Sequence, residues 1–218
     1  MDKPHIRIGT RGSDLALWQA NHVKARLESL GCAVSIQIIQ TQGDRIQDLS
    51  FDKLEGKGFF TKEIESALLS GDVDLAVHSH KDLETTPPPG LVIAAVSERE
   101  DPSDLLLMRA ESHDPSETFE LKAGARIGTS SARRQSILRN FRSDLEIVEL
   151  RGNVPTRIEK LRSGQYDAIL LAKAGVSRLN LDTSDLITLT LNPKEFVPAP
   201  AQGVLGLQVR EGDSQTYE

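Results

Sequence analysis

Short apolar segments alternate with amphipathic helical segments along the first 80 residues, and this alternation restricts the chain to few folds. Ser13 is a good N-cap for a helix whose apolar face comprises Ala16, Ala20, Val23, Leu27 and Leu30 and which Gly31 closes. A second helix carries Phe60, Ile64, Ala67 and Leu68 on one face and ends at Ser70 and Gly71. Strands are predicted at residues 6–8, 34–39 and 74–78. The resulting order is βαβαβ.

The alternation restarts in the second half of the chain. A strand at 91–96 is followed by the charged run 97–104, which has no periodicity and predicts a linker. Further strands are predicted at 105–108, 126–129, 145–150 and 166–172, with helices at 132–141 and 155–163. Pro155 suits a first helical position, and Gly164 suits a helix end.

The two halves resemble each other at their first strand-to-helix turn. Ile8-Gly9-Thr10-Arg11-Gly12-Ser13 opens one helix, and Ile127-Gly128-Thr129-Ser130-Ser131 opens the equivalent one. We therefore predict an α/β fold of two similar lobes, each a mixed sheet flanked by helices. Residues 1–98 with 199–218 form the first lobe and residues 99–198 the second. If the strand at 203–209 returns to the first lobe, the chain crosses between the lobes twice, and a ligand cleft is expected between them.

Composition indicates an ordinary globular protein. Of the 218 residues, 38% are hydrophobic and 27% are charged, with a formal net charge of −6. No stretch approaches the ~18 apolar residues of a membrane span, so a cytoplasmic location is expected. Cys32 is the one cysteine, which excludes an internal disulfide and a thiolate zinc cluster and predicts a structural thiol. His78 and His80 lack a third ligand at a matching offset, so no metal site is expected.

An arginine-rich island lies within this acidic chain. Between Arg126 and Arg178 there are nine Arg and two Lys against five Asp or Glu, a local balance of 11 − 5 = +6. Arginine forks and helix N-termini both bind oxyanions, so the island predicts a ligand with several carboxylates or phosphates. Each arginine taken singly could equally be a surface charge. Nucleic acid is disfavoured because the chain is acidic and only 4% aromatic.

Lys81 and Asp82 directly follow a predicted buried strand. Open α/β sheets place their sites at such carboxyl ends, although a Lys-Asp pair in a loop can also be merely solvated. The glycines flanking Lys57 at 55–58 could let backbone approach a ligand or simply permit a turn.

Five segments resemble the porphobilinogen deaminase family, also called hydroxymethylbilane synthases. They are residues 10–20, 57–63 and 77–82, the run from Thr129 to Gln135, and Leu150-Arg151-Gly152-Asn153. The resemblance covers essentially the whole chain, in order.

The resemblance implies a fold like type II periplasmic binding proteins plus a smaller third domain. It also implies a transferase of porphyrin and heme biosynthesis, which condenses four porphobilinogen molecules head to tail with release of ammonia to give the linear tetrapyrrole hydroxymethylbilane. The growing chain is anchored on a dipyrromethane cofactor, which is bound through a cysteine thioether in the third domain. Each pyrrole bears an acetate and a propionate, and the arginine island could neutralise and position these carboxylates. A monomer that binds neither nucleic acid nor membrane is expected.

By the same resemblance, Asp82 is the catalytic carboxylate, facing the pyrrole N–H groups. Family positions that contact cofactor or substrate carboxylates correspond to Arg11, Ser13, Lys81, Thr129, Ser130, Ser131, Arg133, Arg134, Arg151, Arg157, Arg178 and Gln202. Lys57 corresponds to a position in the mobile loop over the active site.

Two departures from the family pattern matter. His80 stands where the family more often has an apolar residue, and the sequence stops at Glu218, about where the third domain should begin. No cysteine follows Cys32, so the third domain and the cofactor's attachment site are expected to be absent. Two functions therefore stay open: the transferase, whose activity in so short a chain is in doubt, and a non-catalytic two-lobed protein that binds an oligocarboxylate.

Overall fold

The computed structural model describes residues 5–41 and 61–217. The strands of this part are β1 (His5–Thr10), β2 (Ala33–Ile38), β3 (Leu75–Ser79), β4 (Leu91–Val96), β5 (Asp104–Met108), β6 (Arg126–Gly128), β7 (Glu146–Val148), β8 (Ala168–Ala172), β9 (Ile187–Thr190) and β10 (Leu205–Arg210). Its α-helices are α1 (Asp14–Ser29), α2 (Lys62–Ser70), α3 (Ala132–Phe141), α4 (Val154–Arg162), α5 (Lys173–Arg178) and α6 (Ser214–Tyr217). Within the described ranges, no helix is long and apolar enough to cross a membrane.

The chain divides into two compact units. The first comprises Met1–Glu100 with Gly203–Glu218, and the second comprises Asp101–Gln202. Each unit contains a five-stranded mixed sheet, in the order β2-β1-β3-β10-β4 in the first and β7-β6-β8-β5-β9 in the second. The predicted α/β class, with two similar mixed sheets flanked by helices, is confirmed.

In the first unit, β1 pairs in parallel with both β2 and β3, whereas β10 runs antiparallel to β3 and β4. The C-terminal strand thus returns to the first sheet. One face of this sheet packs on α1 through a core that includes Ile8, Val23 and Val77. The other face packs on α2 through Ile64 and Leu68. Burial on both faces explains why neighbouring residues of β3 enter opposite cores, Val77 on the side of α1 and Ala76 on the side of α2.

The second unit repeats this arrangement. Here β6 pairs in parallel with β7 and β8, and β5 runs antiparallel to β8 and β9. Leu138 of α3 packs with Leu106 and Leu170 on one face of the sheet. Ile158 of α4 packs with Leu107 and Leu171 on the other. Successive residues of β5 and β8 therefore enter opposite cores, as the two-residue period of a strand requires.

The helix ends follow their capping residues. Ser13 is the N-cap of α1, as predicted, and Gly71 ends α2 with a left-handed backbone, φ 80°. Leu30 was assigned to the apolar face of α1, and this was wrong. It is the C-cap residue and is 79% exposed, so the last turn of the helix extends beyond the core.

The structure also corrects the sequence reading in the second unit. The boundary between the units falls within the charged run 97–104, which predicts a linker, but its last residue, Asp104, is the first residue of β5 and is fully buried. Strand β9 and helix α5 were not predicted. Strand β9 has only four residues, and α5 has six and no N-cap hydrogen bond from a side chain, so neither gives a strong local signal.

Gly203 is a position where the first unit tolerates no side chain. Its φ is +91°, and a Cβ would overlap the carbonyl oxygen of Glu100. The backbone N–H of Glu100 donates to the Gly203 carbonyl at 3.0 Å, so the two segments cannot simply move apart.

We predict that Gly203→Ala lowers the free energy of unfolding by about 3 kcal/mol. Gly31→Ala is the matched control, because Gly31 has a similar φ of +97° with nothing within 4 Å of the added Cβ. The control should lose only the backbone term of about 1–2 kcal/mol. Urea unfolding of both variants measures the difference, and equal losses would contradict the overlap argument.

Candidate functional site

A cavity lies in the first unit at the carboxyl ends of β1 and β3. Because these strands are parallel neighbours, the segments that follow them emerge side by side. The cavity is lined by Arg11, Ser13, Leu15, Ala16, Gln19, Thr61, Ile64, Val77, His78, Ser79 and Asp82. Three sequence-predicted site residues, Arg11, Ser13 and Asp82, thus meet in one place.

The turn from β1 into α1 is fixed by short-range hydrogen bonds. Thr10 is fully buried, and its hydroxyl donates to the carbonyl of Ala16 at 3.2 Å. Ser13 caps the helix, with its Oγ accepting from the N–H of Ala16 at 3.4 Å. Arg11 and Ser13 are therefore held at a helix N-terminus, where backbone N–H groups and the helix dipole favour an anion.

The turn after β3 sets the position of Asp82. Residues His80–Asp82 form one turn of 3₁₀-helix, in which the backbone N–H of Leu83 donates to the His80 carbonyl at 3.2 Å. The N–H of His80 donates to the Val204 carbonyl at 3.0 Å, which ties the turn to the segment before β10. Asp82 is exposed on the cavity, and Lys81 is exposed beside it.

Polar side chains that the sequence did not reveal complete the cavity. Gln19 is 3% exposed, and its amide donates to Ser79 Oγ at 2.9 Å. His78 is 6% exposed, and burial lowers its pKa to about 4, although a hydrogen bond with Gln208 opposes the shift. At neutral pH the imidazole is uncharged. The sequence signal that identifies these residues is that Gln19, His78 and Ser79 are polar residues within otherwise apolar segments.

In the second unit, polar segments also follow parallel neighbouring strands. Strand β6 is followed by Thr129, Ser130 and Ser131, and β7 by the run 150–153. The Ser130 hydroxyl donates to the Leu150 carbonyl at 2.8 Å and accepts from the Leu150 N–H at 3.1 Å. Thr129 Oγ1 accepts from the Ser131 N–H at 3.2 Å, and Ser131 is the N-cap of α3. The three predicted hydroxyls thus form hydrogen bonds that stabilise the strand-to-helix turn.

Three further predicted arginines lie after β7 and β8. Arg157 Nε donates to the Gly152 carbonyl at 2.7 Å, and Arg151 Nε pairs with Glu149 Oε1 at 2.8 Å. Arg178 is the last residue of α5 and is half-buried. Arg151 and Arg157 thus lie at the β7–α4 turn, which Ser130 contacts through Leu150.

Arg133, Arg134 and Gln202 converge on one buried carboxylate, that of Asp104. Its Oδ2 accepts from Arg133 Nη1 at 2.7 Å. Its Oδ1 accepts from Arg134 Nη2 at 2.7 Å and from Gln202 Nε2 at 2.9 Å. The carboxylate is 0% exposed, and the side chains of Arg133 and Arg134 are 24% and 8% exposed. These predicted ligand residues therefore have an internal acceptor.

The charges of this cluster do not cancel. Burial alone would raise the pKa of Asp104, but the charge of Arg134 and the hydrogen bonds from both arginines and Gln202 outweigh burial and lower it. One carboxylate faces two guanidiniums, which leaves an excess positive charge beside the N-terminus of α3. An anion would complete this arrangement.

Lys57 lies outside the described residues. Cys32 is partly buried and packs against the core under α1. In the described ranges, no group of three or more His, Cys, Asp or Glu side chains could hold a metal ion.

We predict that Asp104→Asn destabilises the second unit by about 3–5 kcal/mol at neutral pH, because it leaves two guanidiniums around a neutral amide. The control is Asp101→Asn, which removes a solvent-accessible pair with Lys173 and should cost at most about 1 kcal/mol. The folded-state pKa of Asp104 is lowered, so its contribution is present above the unfolded carboxyl pKa of about 4 and is lost at lower pH.

Urea unfolding of the wild type, Asp104→Asn and Asp101→Asn from pH 7 to pH 3 measures both effects. The gap between wild type and Asp104→Asn should narrow below about pH 4. A gap that is absent at pH 7, or that widens in acid, would contradict this account.

Residues 6–218 match the family model described as porphobilinogen deaminase, dipyromethane cofactor binding domain. The chain is 47% identical over 215 residues to a porphobilinogen deaminase of Syntrophobacter fumaroxidans, covering 98% of this chain and 68% of that relative. It is 50% identical over 211 residues to one of Nitratidesulfovibrio vulgaris strain DP4, covering 95% and 65%. The chain thus spans about two thirds of the length of these relatives.

Two solved structures share the fold at low sequence identity. One is the probable amino-acid ABC transporter extracellular-binding protein YtmK of Bacillus subtilis, with TM-score 0.56, 14% identity and coverage of 100% of this chain and 88% of that one. The other is the BvgS periplasmic VFT2 domain of Bordetella pertussis, with TM-score 0.55, 13% identity and coverage of 99% and 85%. They confirm the predicted likeness to periplasmic binding proteins.

Proposed function

Because this chain belongs to the porphobilinogen deaminase family, we propose that it is a hydroxymethylbilane synthase, a transferase that condenses four porphobilinogen molecules head to tail with release of ammonia. The observation that carries the proposal is the meeting of Asp82, Arg11 and Ser13 in one cavity. A ring N–H needs an acceptor, and the ring's acetate and propionate need donors. The cavity offers both within one unit.

Asp82 has the role of the catalytic carboxylate. When ammonia leaves the aminomethyl group of porphobilinogen, the positive charge that develops is delocalised onto the ring nitrogen. A fixed carboxylate beside that nitrogen stabilises the charge and lowers the barrier. Asp82 also accepts the proton that is lost when the newly joined ring regains aromaticity.

Arg11 and Ser13 bind a carboxylate of the same ring. Arg11 contributes charge, while Ser13 lies at the N-terminus of α1, where the first backbone N–H groups have no partner within the helix. The β1–α1 turn holds both residues in place before a ligand binds, so binding loses little conformational entropy at this turn. We assign Lys81, exposed beside Asp82, to a second carboxylate.

The residues of the cavity fit the family cofactor dipyrromethane. Its two pyrrole rings carry N–H donors and carboxylates, for which Asp82 is an acceptor and Arg11 and Ser13 are partners. When bound, the cofactor supplies the ring carbon to which the first porphobilinogen unit is joined. Cys32 lies in the α1 core, among apolar side chains, and we assign it no part in holding the cofactor.

The second unit is proposed to bind further carboxylates of the growing chain. Arg133 is suited to face a ligand, because within the described residues its Nε and Nη2 form no hydrogen bond and its side chain is 24% exposed. Arg134 and Gln202 are proposed to act through Asp104, by holding the cluster in place. Thr129, Ser130, Ser131, Arg151, Arg157 and Arg178 complete the proposed set, with Lys57 as the loop residue.

A cytoplasmic location and a monomeric state belong to the same proposal and rest on the family resemblance. A non-catalytic binding protein of the same fold is the alternative. Such a protein would use its cations to bind an anionic ligand, and a carboxylate among those cations would repel the ligand without serving any chemistry. Release of ammonia separates the two functions.

We predict that Asp82→Asn reduces the rate of ammonia release from porphobilinogen by about 10²-fold or more, because it removes one preorganised electrostatic partner of the transition state. Its unfolding midpoint should stay unchanged, since Asp82 is exposed. The control is Glu84→Gln, which removes an exposed carboxylate two residues away that does not line the cavity. This control should keep the wild-type rate.

Two outcomes would count against the proposal. Near-normal ammonia release by Asp82→Asn would remove Asp82 from the chemistry. If a version of the chain joined to the family's third domain, with its cofactor cysteine, binds porphobilinogen but releases no ammonia, the binding-protein alternative would be favoured.

A further inference from the structure

His78 is a buried titratable residue to which the proposed mechanism assigns no role. It lies in β3, is 6% exposed and lines the cavity that contains Asp82. Its Nε2 is 3.1 Å from Oε1 of Gln208, on the neighbouring strand β10. One side of the imidazole is thus bound to the sheet, which leaves the role of the other nitrogen, Nδ1, to be explained.

The contact with Gln208 is part of a longer series of hydrogen bonds. Gln208 Nε2 donates to Oε1 of Glu65, in α2, at 3.1 Å. The other oxygen of Glu65 accepts from the hydroxyl of Thr61 at 3.3 Å. The series therefore runs from the N-cap of α2 to the floor of the cavity, and every member lies in the first unit.

This series fixes which nitrogen of His78 carries the hydrogen. A carboxylate can only accept, so the amide nitrogen of Gln208 must face Glu65. The amide oxygen of Gln208 then faces His78, and an oxygen can only accept, so Nε2 must be the donor. If the Gln208 amide were reversed, its oxygen would face the carboxylate oxygen of Glu65, and neither atom could donate a hydrogen. A neutral imidazole carries one hydrogen, so Nδ1 has a free lone pair.

Burial keeps the ring in this neutral form. Desolvation lowers the pKa of His78 to about 4, the hydrogen bond with Gln208 opposes the shift, and the nearby His80 adds to it. A neutral ring with its one hydrogen on Nε2 can accept a hydrogen bond at Nδ1 but cannot donate one there.

We propose that Nδ1 of His78 accepts a hydrogen bond from a second N–H group of a pyrrole ligand, which in porphobilinogen is the aminomethyl group, while Asp82 accepts from the ring N–H. Gln208 and Glu65 are then positioning residues that hold the accepting tautomer. This inference rests on the proposed function. It adds a basis for ligand specificity, because two acceptors in the cavity favour ligands that carry N–H donors on the ring and on a substituent. A pyrrole analogue without such donors would leave both acceptors unpaired, which disfavours its binding.

Two amide substitutions separate this role from a merely structural one. The side-chain oxygen of asparagine can occupy the place of Nδ1, whereas the longer glutamine reaches the place of Nε2. His78→Asn therefore keeps an acceptor towards the cavity and loses the bond to Gln208. His78→Gln keeps the bond to Gln208 and loses the acceptor.

Calorimetric titration with porphobilinogen distinguishes them. We expect His78→Asn to bind within about threefold of the wild type and His78→Gln to bind about tenfold more weakly, the loss of one hydrogen bond. The opposite order would overturn the proposal in favour of a structural role. Equal weakening of both variants would also overturn it, because the position of the acceptor would then be immaterial.

Nitrogen NMR of the ¹⁵N-histidine-labelled chain tests the tautomer without ligand or turnover. We expect hydrogen on Nε2 in the wild type and a loss of this preference in Gln208→Leu, which removes the amide that fixes it. Hydrogen on Nδ1 in the wild type would overturn the inference while leaving the proposed function intact. Absence of porphobilinogen binding by a wild type with the Nε2–H tautomer would instead overturn the proposed function and the pyrrole assignment together.

Discussion

Parallel pairing of β1 in the first unit, and of β6 in the second, with both neighbouring strands is the constraint on which both candidate ligand-binding regions depend. Because β1 runs parallel to β3, and β6 to β7, the segments that follow these strands emerge at one edge of their sheet. In both units a serine three residues after the end of this strand caps a helix, Ser13 after β1 and Ser131 after β6. The topology therefore repeats a helix N-terminus that can bind an anion, with each unit adding its own side chains.

The electrostatics of the arginine island differ from what its composition implies. An excess of six positive charges predicts many cations available to a ligand, yet the two arginines at the start of α3 already have a buried carboxylate as partner. A single carboxylate cannot neutralise both. The cluster therefore fixes the guanidiniums in position and leaves net positive charge, which suits binding of a carboxylate better than two flexible, fully solvated side chains would.

The sequence predicted those parts of the fold and the site that depend on local signals. Helix α3 was predicted at its observed bounds, because Ser131 and the following period of apolar residues mark it directly. The role of Asp104 could not be predicted, since its partners lie 29, 30 and 98 residues away and nothing near it distinguishes it from a linker charge. For His78 the sequence argued against a metal site but did not identify a partner. Its actual partner, Gln208, is 130 residues away and meets it only because β10 returns to the first sheet.

A crystal structure of this chain with porphobilinogen bound would test the central claim most directly. The account predicts that the ring N–H lies within about 3 Å of the Asp82 carboxylate and that a carboxylate of the ligand contacts Arg11 or the N-terminus of α1. A ligand bound away from the Arg11, Ser13 and Asp82 cavity, or bound there with its ring nitrogen turned away from Asp82, would contradict it.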